Sequence, residues 1–150
     1  MNKNETLHDF DILLADTHVG NWSKSLRISK SVYKNIEDAQ YILMPFMYTY
    51  LEESVRSMTT EYGALNGSEK SSKRIGGGLV DLAISESDDS EQQKLLRSIK
   101  QQYFRRFDGL MGGGNRNNVD HGVVPANDWS NEEFQKLVHD VAALTPYTDF

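Results

Sequence analysis

The sequence predicts an all-α protein, a bundle of about four to five helices formed by one domain over residues 1–150. Three stretches, residues 37–62, 91–107 and 128–144, repeat apolar residues at intervals of three and four positions. That is the spacing of residues on one face of a helix. The last stretch also opens with Ser130 and has Glu133 three positions later, the pattern of a capping box. These periodic segments account for most of the apolar residues, so the core is expected to be helical.

The first part of the chain carries a weaker helical pattern. Apolar residues at helical spacing predict a short helix that ends near Gly20: Leu7, Phe10, Leu13 and Leu14. Leu26, Ile28 and Val32 predict a second short piece, helical or irregular, inside a basic run. The run carries Lys24, Arg27, Lys30 and Lys34, and we interpret it as a solvated face rather than an RNA contact. Residues 1–35 are therefore treated as an N-terminal extension and residues 36–145 as the core bundle.

The most apolar segment predicts the central helix of the core, from Tyr41 to Glu61. Pro45 lies inside it, and proline removes a backbone donor and clashes with the preceding turn, so this helix should start, kink or break near residue 44. Asp38 or Asn35 is the expected N-cap. The charged residues of the segment fall on its more polar side, where we expect them at the surface: Glu52, Glu53 and Arg56.

Glycines and polar residues then interrupt the helical pattern from residue 63 to residue 78. Asn66-Gly67-Ser68 marks a turn. The triplet Gly76-Gly77-Gly78 lacks the spacing and the following lysine–serine or lysine–threonine pair of a phosphate loop, so a connector is the better interpretation. A short helix is expected around residues 79–84, and Ser90 is a suitable N-cap for the helix of residues 91–107.

The stretch from Arg116 to Gly122 combines a fixed cation with a titratable imidazole. Asn117 follows the arginine directly, and His121 lies five positions after it. Histidine can exchange a proton near neutral pH, and arginine stays charged and can clamp a phosphate with a fork of donors. Cleavage of RNA without a metal ion requires these two groups. The helical segment just upstream is basic and carries the candidate RNA-binding residues: Arg97, Lys100, Arg105 and Arg106.

This stretch resembles the signature of HEPN domains, an arginine and a polar residue followed by a histidine after about four to six positions. The resemblance implies a small helical bundle that forms a homodimer. For active members it also implies a metal-independent endoribonuclease with a composite site at the two-fold interface. Arg116 and His121 would be the catalytic pair and Asn117 the supporting polar residue. No cofactor or metal is implied.

The same resemblance implies an RNA substrate, a role in toxin–antitoxin systems or antiviral defence, and a cognate antitoxin or inhibitor protein as a partner. One subgroup of the family places a tyrosine two residues after the histidine, where a partner nucleotidyltransferase modifies it. Val123 occupies that position here. Control by such a partner is therefore not expected.

Other interpretations of the motif stay open. Arg116 and Asp120 could cap and pair at a helix start while His121 has no role. A catalytically silent HEPN-like interaction or nucleotide-binding module is the main alternative, and the net charge of −6 favours it. A structural helical protein without a site is the third.

Composition narrows the remaining classes. The chain has no cysteine, which excludes disulfides and thiolate metal sites. His8, Asp9, Asp11, Asp16 and His18 are potential metal ligands, but a solvated helix face explains them better. His139 is expected to be a surface or interface histidine. Because neither a signal peptide nor a long apolar stretch is evident, we expect a soluble cytoplasmic protein without a membrane partner.

Overall fold

The computed structural model describes residues 1–17, 22–63, 74–104 and 128–150. Within these ranges the chain forms seven α-helices and a 3-10 turn, with no strand. The all-α prediction is confirmed, whereas the expected four to five helices were too few. The helices are α1 (Lys3–Asp16), α2 (Ser23–Asn35), α3 (Gln40–Ser57), α4 (Thr60–Gly63), α5 (Gly76–Glu86), α6 (Ser90–Tyr103) and α7 (Asn131–Ala142).

The first two helices are each continuous, but they begin differently. The Asn2 side chain accepts hydrogen bonds from the backbone of Asn4 and Glu5, and Glu5 accepts one from the backbone of Asn2, which closes a capping box at the start of α1. Residues 23–35, predicted to be helical or irregular, form one continuous helix. It has no side-chain cap at Trp22, so packing rather than capping stabilises it.

The central helix α3 begins one residue before the predicted position and ends at Ser57 rather than Glu61. Its N-cap is Ala39, so neither Asp38 nor Asn35 caps it. Asp38 instead has a φ of 55°, in the left-handed region that aspartate tolerates better than most residues. Pro45 lies inside α3 without ending it. Since Pro45 is the sixth residue of the helix, only the carbonyl of exposed Tyr41 loses an intrahelical donor.

The glycine triplet is not a connector, because Gly76 to Gly78 form the first turn of α5. Gly76 has a φ of 58°, which a residue with a Cβ adopts only with strain. At the start of α6, Asp89 is the N-cap and its carboxylate accepts a hydrogen bond from the backbone of Gln92. The predicted cap Ser90 is the first residue of that helix.

The last long helix follows its prediction closely. Ser130 and Glu133 make the expected capping box at the start of α7. All five apolar residues predicted to be inside are buried: Phe134, Leu137, Val138, Val141 and Leu144. The helix ends at Ala142, and a 3-10 turn at Thr145–Tyr147 contains Pro146.

Helix α7, near the C-terminus, contacts both the first helix and the central helix of the bundle. It packs against α1 and α3, α1 packs against α2, and α5 packs against α3 and α6. One core cluster includes residues from all of these helices. The predicted N-terminal extension contributes Phe10, Leu13, Leu26 and Tyr33 to that cluster. Among the described residues, none of the helices combines the length and apolar character needed to cross a membrane.

Candidate functional site

The predicted catalytic residues fall in residues 105–127, outside the part of the chain that is described. This applies to Arg116, Asn117 and His121 and equally to the candidate RNA-binding residues Arg105 and Arg106. The flanking elements are described: α6 ends at Tyr103, and α7 begins after its N-cap Ser130. The end of α6 and the start of α7 therefore flank the segment that contains the motif, and their side chains can be described.

Two of the predicted RNA-binding residues, Arg97 and Lys100, lie on α6. They differ in whether the charged group is already paired with a carboxylate. The Nζ of Lys100 is 2.7 Å and 2.8 Å from the two carboxylate oxygens of Asp81 on α5. Lys100 must therefore exchange this partner before it can bind a phosphate. Arg97 is exposed, and the one hydrogen bond that its side chain makes to the described part of the chain is long, 3.4 Å from Nη2 to Oε1 of Gln93. Arg97 is consequently the more available cation of the two.

A hydrogen-bonded cluster closes the end of α6 against α7. The hydroxyl of Tyr103 donates to Asp140, and the same carboxylate accepts from Lys136. The Nζ of Lys136 also lies 5.6 Å from the centre of the Tyr103 ring. Burial, followed by the Asp140 carboxylate, raises the pKa of Tyr103 well above its usual range. Tyr103 thus acts as a hydrogen-bond donor here and not as a base.

This cluster could be predicted only in part from the sequence. Lys136 and Asp140 stand four positions apart, the spacing of an ion pair along a helix. The tyrosine, however, comes from a position 37 residues earlier in the chain. The three side chains meet because the fold brings the last residue of α6 next to α7.

Two of the three charged residues predicted to lie at the surface of α3 are buried, so the prediction was wrong for Glu52 and Arg56, whereas Glu53 is partly exposed. Arg56 is 6% exposed and Glu52 8% exposed. The Nη1 of Arg56 forms an ion pair with Glu53. The Nη2 of Arg56 lies 3.1 Å from Oε1 of Glu52. Nη2 also donates to the carbonyl of Arg74, just ahead of α5. The helical pattern placed these residues on the polar side of α3, but Arg56 meets the Arg74 carbonyl there and is shielded from solvent.

A groove lies between α1 and α7. Its volume is about 730 Å³, and it is lined by Met1, Asn2, Asn4, Glu5, His8, Asp9 and His139. His139 is exposed, as expected, and its Nδ1 lies 3.2 Å from Oδ2 of Asp9. Asp9 is buried rather than solvated, which corrects the expectation for that residue. The pair joins α1 to α7.

The other potential metal ligands of the N-terminal region are separated from one another. Asp11 pairs with Lys30, and Asp16 accepts a hydrogen bond from Thr148. His18 lies outside the described residues. Across the described ranges, no group of three or more acidic, histidine or cysteine side chains is arranged to hold a metal ion.

Comparison with known proteins adds no relative from which a role could be transferred. No family model matches the chain, and no curated protein or solved structure is significantly similar to it.

Proposed function

We propose that the protein is a metal-independent endoribonuclease of the HEPN type. The observation that carries the proposal is the spacing of Arg116, Asn117 and His121 in the segment between two helices of an all-helical chain. By the same resemblance the enzyme would serve as a cytoplasmic toxin or antiviral ribonuclease, held in check by a cognate antitoxin or inhibitor protein.

The chemistry needs only the side chains named. Each scissile phosphate of RNA has a neighbouring 2′-hydroxyl, which attacks phosphorus when a base removes its proton. His121 takes this proton and later returns one to the leaving 5′-oxygen. Arg116 holds the phosphate oxygens as negative charge grows on them, and Asn117 orients the phosphate or the imidazole. The products carry a 2′,3′-cyclic phosphate and a 5′-hydroxyl, and DNA, which lacks the nucleophile, is not cut.

Helix geometry supports a dimeric site. Five positions along an ideal helix correspond to a rotation of about 500°, so the Arg116 and His121 side chains would point about 140° apart. One regular helical copy of the motif would not bring them together. Two copies facing each other across a two-fold axis would supply an arginine from one subunit to the histidine of the other. The proposal therefore includes a homodimer.

The test is cleavage of RNA by the purified protein in EDTA. The wild-type chain should produce fragments ending in 2′,3′-cyclic phosphate, and His121→Ala should abolish them. His8→Ala is the matched control, because His8 is an exposed histidine of α1 far from the motif in sequence. Cleavage that requires magnesium, or that persists in His121→Ala, would overturn the proposal.

The second candidate is a catalytically silent HEPN-like interaction or nucleotide-binding module. Two observations favour it: the net charge of −6, and the pairing of Lys100 with Asp81, which neutralises part of the basic helix. Expression in a host without an inhibitor separates the two candidates. An active ribonuclease should arrest growth and His121→Ala should relieve the arrest, whereas a silent module should leave growth unchanged in both cases.

A further inference from the structure

The outer face of α2 carries an isolated concentration of positive charge. This helix holds four of the 16 lysines and arginines of the chain and none of its 22 aspartates and glutamates. Lys24, Arg27 and Lys34 are exposed, and within the described residues none of these three is in a salt bridge. The fourth, Lys30, is only partly exposed and pairs with Asp11 of α1.

The three exposed cations lie on one side of the helix. At about 100° per residue, Lys24, Arg27 and Lys34 fall within an arc of about 80°, and Ser31 lies inside that arc. At about 1.5 Å per residue they extend over about 15 Å along the axis. A stacked nucleic-acid strand places about four phosphates over that length, at about 3.4 Å each.

The opposite side of α2 fixes this face in position. Leu26, Ser29 and Tyr33 are buried in the bundle, so the helix cannot rotate or unfold locally without exposing core residues. The cations are therefore presented on a rigid support, and Ser31 adds an exposed hydroxyl of the kind that commonly contacts phosphate oxygens.

We infer that the α2 face formed by Lys24, Arg27, Ser31 and Lys34 binds the phosphate backbone of single-stranded RNA. The inference rests on the proposed function for the choice of RNA as the polyanion. It adds a binding surface on a helix other than α6, which carries Arg97 and Lys100. A membrane surface fits less well, because a helix that inserts into a bilayer needs a free apolar face. The apolar face of α2 is already occupied by the protein core.

The experiment measures RNA binding separately from cleavage. All proteins carry His121→Ala, and binding to a fluorescent single-stranded RNA is followed by anisotropy over a range of salt concentrations. The variant Lys24→Gln/Arg27→Gln/Lys34→Gln should bind at least about tenfold more weakly at low salt. Three lost phosphate contacts should also reduce the slope of log affinity against log salt by about 2, at about 0.7 per contact. Circular dichroism verifies that the variant is still helical.

Lys30→Gln is the matched control, because it removes the same charge as Lys34→Gln from the same helix but from a lysine already paired with Asp11. Lys34→Gln should lower the salt slope by about 0.7, and Lys30→Gln should leave it nearly unchanged. Equal losses from the two single variants would mean that net charge alone matters, and would overturn the inference. So would a triple variant that binds RNA like its parent.

Vesicles containing phosphatidylserine form the last arm. Binding to the vesicles that depends on the three cations, without a matching effect on RNA, would assign the face to membranes and overturn the RNA inference. Failure of the cleavage assay would overturn the proposed enzyme but leave this binding result standing, since binding is measured with the His121→Ala background.

Discussion

At the scale of single residues, α3 carries two buried charged side chains, those of Glu52 and Arg56. Arg56 supplies the guanidinium that faces both Glu52 and Glu53, and all three belong to a helix at the centre of the bundle. A buried ion pair stabilises little relative to apolar residues of the same shape. Removing one partner is different, because it leaves charge without compensation in a poorly solvated place.

We therefore expect Arg56→Leu to lower the free energy of unfolding by about 3–5 kcal/mol. Urea denaturation followed by circular dichroism measures the change. Arg97→Leu, at an exposed position of α6, is the control, and its free energy of unfolding should stay within about 0.5 kcal/mol of the wild-type value. Similar losses in the two variants would show that Arg56 does not neutralise the carboxylates in solution.

Two buried tyrosines make stability sensitive to alkaline pH. Burial raises the pKa of Tyr50, and Asp16 adds to the effect, while burial and Asp140 raise that of Tyr103. Above the ordinary tyrosine pKa of about 10, the unfolded chain loses these protons while the folded chain keeps them. The folded state then binds more protons than the unfolded state, so stability falls as pH rises.

Each of these tyrosines should contribute a decline of up to about 1.4 kcal/mol per pH unit above pH 10. Urea denaturation between pH 8 and pH 11 tests this, with tyrosinate absorbance as an independent measure of ionisation. Tyr103→Phe should lose stability at pH 8, because Asp140 loses a donor, but should decline less steeply above pH 10. An equally steep decline in that variant would contradict the role given to Tyr103.

At the scale of helices, interactions between residues close in sequence could be predicted from the sequence, whereas contacts between different helices could not. The capping box of Ser130 and Glu133 is contained within four residues, so the sequence displays it completely. By contrast, Gly76 to Gly78 are poor helix formers, and the helix they begin is stabilised by the packing of α5 on α3 and α6. Burial of Arg56 depends in the same way on a neighbour from a distant part of the chain.

Ser130→Ala should lower the free energy of unfolding by about 1 kcal/mol, because the hydroxyl accepts a hydrogen bond from the backbone of Glu133 at the start of α7. Thermal or urea unfolding measures the loss. Ser98→Ala, at an exposed position inside α6, is the control and should be neutral or stabilise slightly, since alanine is the better helix former. Equal effects at the two serines would argue against the capping box.

At the scale of the whole molecule, the periodic patterns indicated which residues are buried but not how far the core extends. Phe10 lies in α1 yet is completely buried in the cluster that α7 and α3 share. A pattern of apolar residues shows that a helix has an inner face and does not identify the helix that covers it. The candidate site shows the same limit, since the spacing of Arg116 and His121 is visible in the sequence, whereas the contact between Tyr103 and Asp140 is not. The basic run of α2 was also visible in the sequence, but it was interpreted there as a solvated face.

If residues 1–35 belong to one cooperative unit with the rest, Phe10→Ala should lower the free energy of unfolding by about 3–5 kcal/mol, and unfolding should remain a single transition. Ile28→Ala, a loss of apolar atoms at an exposed position of α2, should change stability by no more than about 0.5 kcal/mol. A Phe10→Ala protein of nearly normal stability would mean that α1 docks onto a bundle that is stable without it.

The two tryptophans provide intrinsic fluorescence. Trp22 stands edge-on to Tyr50, with ring centres 5.4 Å apart, whereas Trp129 is 9% exposed immediately before the cap of α7. Replacing Trp22 by phenylalanine would leave Trp129 as the only indole. Its fluorescence would then report from a position seven residues after Gly122, so ligands of the motif could be titrated without attaching any dye.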